Sequence, residues 1–575
     1  MRSLIIITWN LLDKEYQRKS IYIFILVIIG TLLEMIGISA IVPIISSMNT
    51  NKFPHLLGFM ESYYLNIDSI IIFLVLIFII FYISKLLYLS WLSWKQSEYI
   101  YSIKSNISQR LFNCYLDQNY DFYLNKNSSE LIRNIASESA LFATGVLVPL
   151  VLLLTELLVV LGIAIILFYV EPAGASIIFS ITLIAMFFLN NLTKKNMKKW
   201  GELRQILEGK RIQIAQEGLG GIKELKLLGR EDYIKKRYEH YNFGGSSVEM
   251  KQLAFLQLPR FILEGIATIG LGLLVVILIN KGDGINTVIP VLGLFAVAGF
   301  RLLPSASKIV TSIQSLKYSS AIILLIKREL NISIPSNIIS SVDIVFEKSI
   351  SLVNVSFSYP NSITPVLECV NISIKKNNIV GIIGASGAGK STLVDIILGL
   401  LIPVAGEVRV DDININFNLR SWQQKIGYVP QSIFLSDDTL KANIAFGLND
   451  SDINNESLIA AIKGAQLEPL ILNLPDGLNT MLGERGIRLS GGQRQRIGIA
   501  RALYNNPSVL VFDEATSALD NKTEEDVMDS INALKGTKTI IIIAHRLSTL
   551  NKCDFLVKVD CQTAKELSDI SMLKI

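Results

Sequence analysis

Gly384-Ala385-Ser386-Gly387-Ala388-Gly389-Lys390-Ser391-Thr392 lies between an apolar β-branched run, 379–383, and an apolar helical run, 393–400. This is the spacing G-x-x-x-x-G-K-[ST] in the strand–loop–helix setting that it needs to cradle phosphate. Its glycines let successive backbone N–H groups curl around an anion, and the helix start adds partial positive charge. There Lys390 reaches the β- and γ-phosphates of a nucleoside triphosphate and Ser391 binds Mg²⁺. The flanking strand and helix separate this loop from a chance match.

A second apolar strand, Val509-Leu510-Val511-Phe512, ends in Asp513-Glu514. A carboxylate at the C-terminal end of a buried strand, beside a phosphate loop, holds Mg²⁺ directly or through water, the role expected of Asp513. Glu514 is placed to polarise the attacking water as a general base. An acidic pair is ordinarily a solvated surface feature, and here the strand before it overturns that reading.

Around these motifs, short β-branched strands alternate with helical stretches, an α/β pattern with a mainly parallel sheet. That pattern occupies 346–575 and follows a polar, proline-containing linker within 329–345. Residues 1–328 read differently. In the 575-residue chain 51% of residues are hydrophobic and 18% charged, and the mean hydropathy is +0.46. The long apolar runs fall in the first part, at roughly 21–45, 70–91, 143–169, 173–192, 261–280 and 285–303. Each approaches the ~20 residues that cross a bilayer. The fold class expected is an all-α six-helix transmembrane domain followed by an α/β nucleotide-binding domain.

The first run follows Lys14, Arg18 and Lys19, but it is too long for a cleaved signal segment and reads as a retained helix. Lys95, Lys104 and Arg110, then Lys194, Lys195, Lys198 and Lys199, then Lys308 and Lys317, fall on the same side as those first cations. The other side has Lys52 and Lys281. The positive-inside rule then places both termini, and the nucleotide-binding domain, in the cytoplasm. Stretches 95–140 and 194–258 carry helical periodicity and read as membrane helices continuing into the cytosol. The loop 46–69 reads either as a short surface helix or as loop packing. A net charge of +5 is too small to indicate a nucleic-acid partner. Cys114, Cys369, Cys553 and Cys561 form no C-x-x-C pair, so neither a disulfide framework nor a zinc site is signalled.

Leu489-Ser490-Gly491-Gly492-Gln493 precedes the Asp513-Glu514 strand. With the phosphate loop, it gives 340–560 a resemblance to ATP-binding-cassette domains, and the six runs ahead of it resemble an exporter half-transporter. The resemblance implies that ATP and Mg²⁺ are the cofactors, and that Ser490, Gly491, Gly492 and Gln493 close over ATP bound to a second subunit. One motif set per chain then implies a homodimer with two composite sites. By the same resemblance Tyr359 stacks on adenine, Gln431 links Mg²⁺ to the membrane domain, and His545 contacts the γ-phosphate. Ser517–Asp520 matches the loop coupling the two sites, and 480–486 the exporter-specific loop, with Leu482 where valine is commoner. After Asp560 the family has a glycine-containing turn and a further strand, which Cys561-Gln562-Thr563-Ala564 does not read as.

The cargo must be read from the membrane half. Charged residues in apolar runs are expensive and mark functional positions. They are Glu34, Lys85, Glu156, Arg260, Glu264 and Arg301. Snorkelling or pairing across helices is the plain reading of each; three cations, Lys85, Arg260 and Arg301, are also the lining expected for an anionic head group. Arg260-Phe-Ile-Leu-Glu264-Gly265 and Phe300-Arg301-Leu-Leu-Pro304-Ser305-Ala306 resemble stretches of bacterial flippases for polyprenyl-pyrophosphate-linked oligosaccharides, which work in the inner membrane. The alternatives are a general drug, lipid or peptide exporter, and an ATP-gated channel, against which Glu514 and His545 argue. A soluble DNA-repair ATPase shares the cassette motifs, but the apolar spans exclude it.

Overall fold

The computed structural model describes residues 2–39, 67–170, 172–280, 285–333, 343–360, 362, 364–483, 486–513, 534–543 and 553–567. The chain divides into two compact units, one of Met1–Gln118 with Lys126–Ile334, the other of Asn119–Asn125 with Pro335–Ile575.

The first unit is helical. In chain order it holds α1 (Arg2–Leu11), α2 (Lys14–Ser39) and α3 (Ile67–Leu116). α4 (Tyr120–Asn125) falls in the other unit. α5 (Ser128–Arg133), α6 (Ser139–Phe142) and α7 (Val148–Val170) form one helical run, joined by π-helical turns at Asn134–Glu138 and Ala143–Leu147. α8 (Pro172–Gly220), α9 (Ile222–Leu228), α10 (Glu231–Asn280), α11 (Ile285–Tyr318) and α12 (Ser320–Leu330) complete it.

Among the described residues, five stretches are long and apolar enough to cross a membrane, and a sixth follows if the bent pair Gly299–Tyr318 and Ser320–Leu330, meeting at 46°, is one span. α3, α8 and α10 have 50, 49 and 50 residues. At ~1.5 Å per residue each is about 75 Å long, well over twice a ~30 Å hydrocarbon layer. The helical continuation expected at 95–140 and 194–258 is therefore present in α3, α8 and α10. The outer part of the first span beyond Ser39 and most of the loop 46–69 lie outside the described residues.

The long extensions carry a polar interior. Glu138, fully buried in a π turn, accepts from Arg204 Nη2 on α8 at 2.8 Å with both oxygens. Glu329, equally buried on α12, accepts from Tyr115 Oη at 3.1 Å and from Arg328. Buried charges persist where they are paired and hydrogen-bonded. At the bend after Tyr318 the backbone of α8 comes so close that a Cβ at Gly201 would sit 1.8 Å from the Tyr318 carbonyl oxygen. Only glycine fits there.

The second unit is built on β1 (Ser349–Phe357), β2 (Leu367–Lys375), β3 (Ile379–Ile383), β4 (Ala405–Val410), β5 (Ile413–Asn414) and β6 (Ile426–Val429). β7 (Val509–Asp513), β8 (Thr539–Ile543), β9 (Phe555–Asp560) and β10 (Thr563–Leu567) follow. Among the described residues, four strands form an antiparallel sheet in the order β2-β1-β4-β5, and six form β10-β9-β3-β8-β7-β6. Along the central strands successive residues enter opposite cores. Ile379, Leu510, Phe512, Ile540 and Ile542 face the core that includes Leu440 and Ile497. Val380, Val509, Val511 and Ile541 face the one that includes Leu393 and Trp422. Burial on both faces is why these strands read as unbroken apolar runs.

One expectation is corrected. Residues after Asp560 do form a strand, β10, antiparallel to β9 with Thr563 opposite Asp560. The turn lacks glycine, and Cys561 and Gln562 themselves adopt φ of 45° and 65°. Two consecutive left-handed residues match the twist of a tight hairpin, so the pairing is retained at the cost of strained turn residues.

Candidate functional site

The six-stranded sheet is parallel from β9 to β6. The loop leaving β3 and the carboxylate ending β7 therefore lie on the same C-terminal edge, with β8 between them. α/β sheets bind ligands at that edge. From β3 the chain turns through 384–389 into α13 (Lys390–Ile397). Gly389 caps this helix at φ 102°, and a Cβ there would meet Val366 Cγ1 at 3.0 Å. The cap has no side-chain oxygen, so the first N–H groups of α13 are not filled by their own cap.

Lys390 is buried, and its Nζ donates to the Gly384 and Ala385 carbonyls at 3.0 and 2.9 Å, curling the loop around its own cation. Ala385, Ser386 and Gly387 are exposed on the rim, Ala388 half-buried, and Ser391 exposed at the helix start. Thr392 is buried, and its Oγ1 shares a 3.0 Å hydrogen bond with Tyr359 Oη. Tyr359 stands edge-on to Phe357, with ring centres 5.1 Å apart. The aromatic side chain singled out in the sequence is thus anchored beside the phosphate loop. This donor set suits a nucleotide triphosphate with Mg²⁺: a cradle of N–H groups, a lysine, a hydroxyl and an acid. Ser391, Gln431 and Asp513 would hold the ion, which supplies charge neutralisation between phosphates when bound.

Two neighbours of Asp513 escaped the sequence reading. Tyr428 Oη donates to Asp513 Oδ2 at 3.3 Å. Asp395, on the inner side of α13, has its pKa raised to about 6 by burial and, secondarily, by the charge of Asp513. Tyr428 is pushed well above the usual phenol range by burial, then by Asp513 and Asp395. The signal for Asp395 was an acid inside an otherwise apolar helix, Leu393–Ile397.

Gln431 lines a cavity of about 490 Å³ together with Gly491, Arg494 and Gln495 at the start of α18, numbered after α14 (Leu419–Gln424), α15 (Leu440–Ile444), α16 (Asn455–Gly464) and α17 (Glu468–Leu472). α18 spans Gly491–Leu503, and Ser490 is its N-cap. Ser490 Oγ accepts from Gln493 N at 3.2 Å and Gln493 Oε1 accepts from Ser490 N at 2.8 Å, a reciprocal capping box. The N–H groups of Gly491 and Gly492 lie outside that box, and Ser490 is exposed. Glu514, His545, the loop 517–520 and Glu484–Arg485 lie outside the described residues.

Of the two readings of the membrane cations, the structure shows pairing for Arg301 and Arg260. Arg301 donates from Nε and Nη2 to Glu34 Oε2 at 3.2 and 2.8 Å, and lies 3.7 Å from Glu156. Glu156, buried on α7, accepts from Ser305 Oγ at 2.6 Å and Lys308 Nζ at 2.7 Å. Lys85 is buried on α3, its ammonium 4.7 Å from the Tyr82 ring centre. Arg260 pairs with Glu264 one turn on, at 2.9 Å. The counter-charge for Arg301 and Arg260 is thus supplied by the chain itself, so they do not form one unpaired cationic lining with Lys85. Arg260 instead shares a cavity of about 570 Å³ with Glu264, Phe300, Leu303 and Lys308. Phe300 and Leu303 also border an apolar cavity of about 450 Å³, lined by Leu157, Val160, Met186 and Ile266.

The comparisons with known proteins agree with this architecture. The ABC transporter family pattern matches residues 367–517, and that of the ABC transporter transmembrane region matches 20–284. An ATP-dependent lipid A-core flippase of Cupriavidus metallidurans is 30% identical over 428 residues, 72% of this chain and 70% of the relative. A heavy metal tolerance protein of Schizosaccharomyces pombe is 30% identical over 471 residues, 80% of this chain and 55% of the relative. A solved bacterial Atm1-family ABC exporter with ATP bound has the same fold, with TM-score 0.80 and 22% identity over 98% of this chain and 97% of that one. With a phosphate loop and acid-tipped strand on one sheet edge and membrane-length helices ahead of them, the chain belongs to the ABC exporter half-transporters: it is an ATP-hydrolysing, multi-span membrane transporter.

Proposed function

We propose that two copies of this chain use ATP and Mg²⁺ to flip an amphiphile with an anionic head and apolar tail across a bacterial inner membrane. A polyprenyl-pyrophosphate-linked oligosaccharide is the cargo that the sequence favours, with both termini cytoplasmic. The observation carrying the reading is the pair of adjoining cavities. One is apolar and suits an isoprenoid or acyl chain. The other, across Phe300 and Leu303, presents Arg260 and Lys308 to a head group. All three paired cations have a carboxylate partner, but Arg260 and Lys308 are 71% and 47% exposed to an incoming head group, whereas Arg301 is 29% exposed and Lys85 is buried. Lys308 therefore takes the place of Arg301 and Lys85 in this role. A phosphate or pyrophosphate competes with Glu156 and Glu264 for these cations through charge-assisted hydrogen bonds. A lipid A-core type of glycolipid is the second reading, supported by the relative of that name.

The test is translocation in proteoliposomes. Replacing Arg260 and Lys308 with Gln is expected to lower flipping of a polyprenyl-pyrophosphate glycan at least tenfold while ATP hydrolysis persists. Filling the apolar cavity with Ala267→Phe should do the same. Normal flipping by both variants would refute the site. Flipping of a lipid A glycolipid but not of the polyprenyl glycan would keep the site and change the cargo.

A further inference from the structure

α8 has a face that the ATP site and the paired cavities do not use. Its inner side, Ala185, Leu189, Thr193 and Met197, is buried at a spacing of four, one stripe of a helix. The outer side exposes Ile184, Phe187, Phe188 and Leu192, each by more than half of its surface. Directly after them come Lys194, Lys195, Lys198 and Lys199, all exposed. The apolar ridge from Ile184 to Leu192 is about 12 Å long at ~1.5 Å per residue, close to one leaflet of a ~30 Å hydrocarbon layer. The lysines then fall at head-group depth.

The charge is one-sided. Among the described residues, the ion pair of this cluster is Lys198 with Glu202, at 3.8 Å. Lys317 of α11 adds to it, donating to the Asn190 carbonyl at 3.5 Å and lying close enough to Lys194 for the two charges to interact. A two-fold axis running through this face would set lysine against lysine. Anionic phosphate groups are the complement, since each lysine at a negatively charged leaflet favours association several-fold.

We propose that this face binds anionic phospholipid, with acyl chains along the aromatic ridge and phosphates on the lysine cluster, and that ATP turnover depends on that binding. The lipid is a resident of the leaflet facing the lysines, distinct from the transported amphiphile.

The experiment compares ATPase activity in vesicles of phosphatidylcholine alone and with a quarter phosphatidylglycerol, for the full chain and for K194Q/K195Q/K198Q/K199Q. The native chain should be several-fold faster with phosphatidylglycerol, and added salt should erase the gain by shortening the reach of charge. The glutamine variant should be equally active in both vesicles, and a four-arginine variant should respond like the native chain. Co-purified phosphatidylglycerol, counted per chain, should drop in the glutamine variant alone. An unchanged response in that variant would overturn the proposal. So would a native chain indifferent to phosphatidylglycerol and salt, a measurement needing no variant. Loss of the glutamine variant's dimer in detergent would also overturn it, by showing that a second copy occupies this face.

Discussion

Replacing Arg301 with Gln tests whether the charges inside the membrane helices serve the fold. Arg301 reaches Glu34 through Nε and Nη2 and also lies 3.7 Å from Glu156. Its side chain is 29% exposed, that of Glu34 13% and that of Glu156 3%. Without the guanidinium, Glu156 keeps Ser305 and Lys308, whereas among the described residues Glu34 keeps the more distant field of Lys85. Removing one partner of a buried pair costs about 3–5 kcal/mol, and a lone charge at mid-membrane about 2.5–3.5 kcal/mol on insertion scales. The partial exposure of Arg301 and the Lys85 charge reduce this, so we expect R301Q to lose about 2–3 kcal/mol. Glu34→Gln added to R301Q removes the stranded carboxylate and should restore most of it, a coupling of about 2 kcal/mol. Unfolding of the four proteins of this cycle in mixed detergent–dodecyl sulfate micelles reads the coupling directly. An R301Q chain as stable as the parent, with zero coupling and flipping lost, would refute the pairing argument and make Arg301 a substrate cation. Neutralising Lys85, Arg260 and Arg301 together, the substitution that the sequence alone recommends, strands Glu34 as well and so confounds folding with transport.

Asp395→Asn should stabilise the nucleotide-free protein in a pH-dependent way. The fold raises this carboxyl to about 6, so its protonated form is favoured; stability is greatest below the ordinary carboxylate range and is lost as pH rises through 6. The variant should gain about 1–2 kcal/mol at pH 8, after allowing for solvent screening, and nothing near pH 4; an equal gain at both would contradict the burial argument. Glu514→Gln should bind ATP yet hydrolyse it at least a hundredfold more slowly, as loss of a general base requires; near-normal turnover would remove Glu514 from that role. Mixing Lys390→Ala chains with Ser490→Arg chains should recover one composite site per heterodimer, seen as ATPase activity absent from either variant alone. Activity in a strictly monomeric preparation would contradict the two-chain arrangement.

The nucleotide-binding fold was legible because the pattern that specifies its phosphate loop is local. The phosphate loop needs strand, glycines, lysine and hydroxyl within one short stretch, and β3 and α13 form where those residues specify them. The signature serine likewise caps a helix through a partner three residues away. Period and length also revealed the membrane helices, since a bilayer demands about 20 apolar residues in any context. The terminal hairpin was misread because its turn residues, Cys561 and Gln562, are poor left-handed residues in isolation. Pairing of β10 along β9 holds them there.

What the sequence by itself determined is therefore the ATP-hydrolysing transporter: motifs whose function resides in contiguous residues, and helices whose length answers to the solvent. The tertiary structure alone decided which charges are spoken for. Arg301 and Glu34 are 267 positions apart, and Lys308 and Glu156 152. No periodicity links such residues, so only the packing of α2, α7 and α11 determines that their charges meet. The same holds for Asp395, whose acidity is lowered first by its burial in the packed domain and then by the charge of Asp513, a strand end more than a hundred residues away. Electrostatic energy depends on distance through space and on burial, and neither quantity exists until the helices and strands have packed.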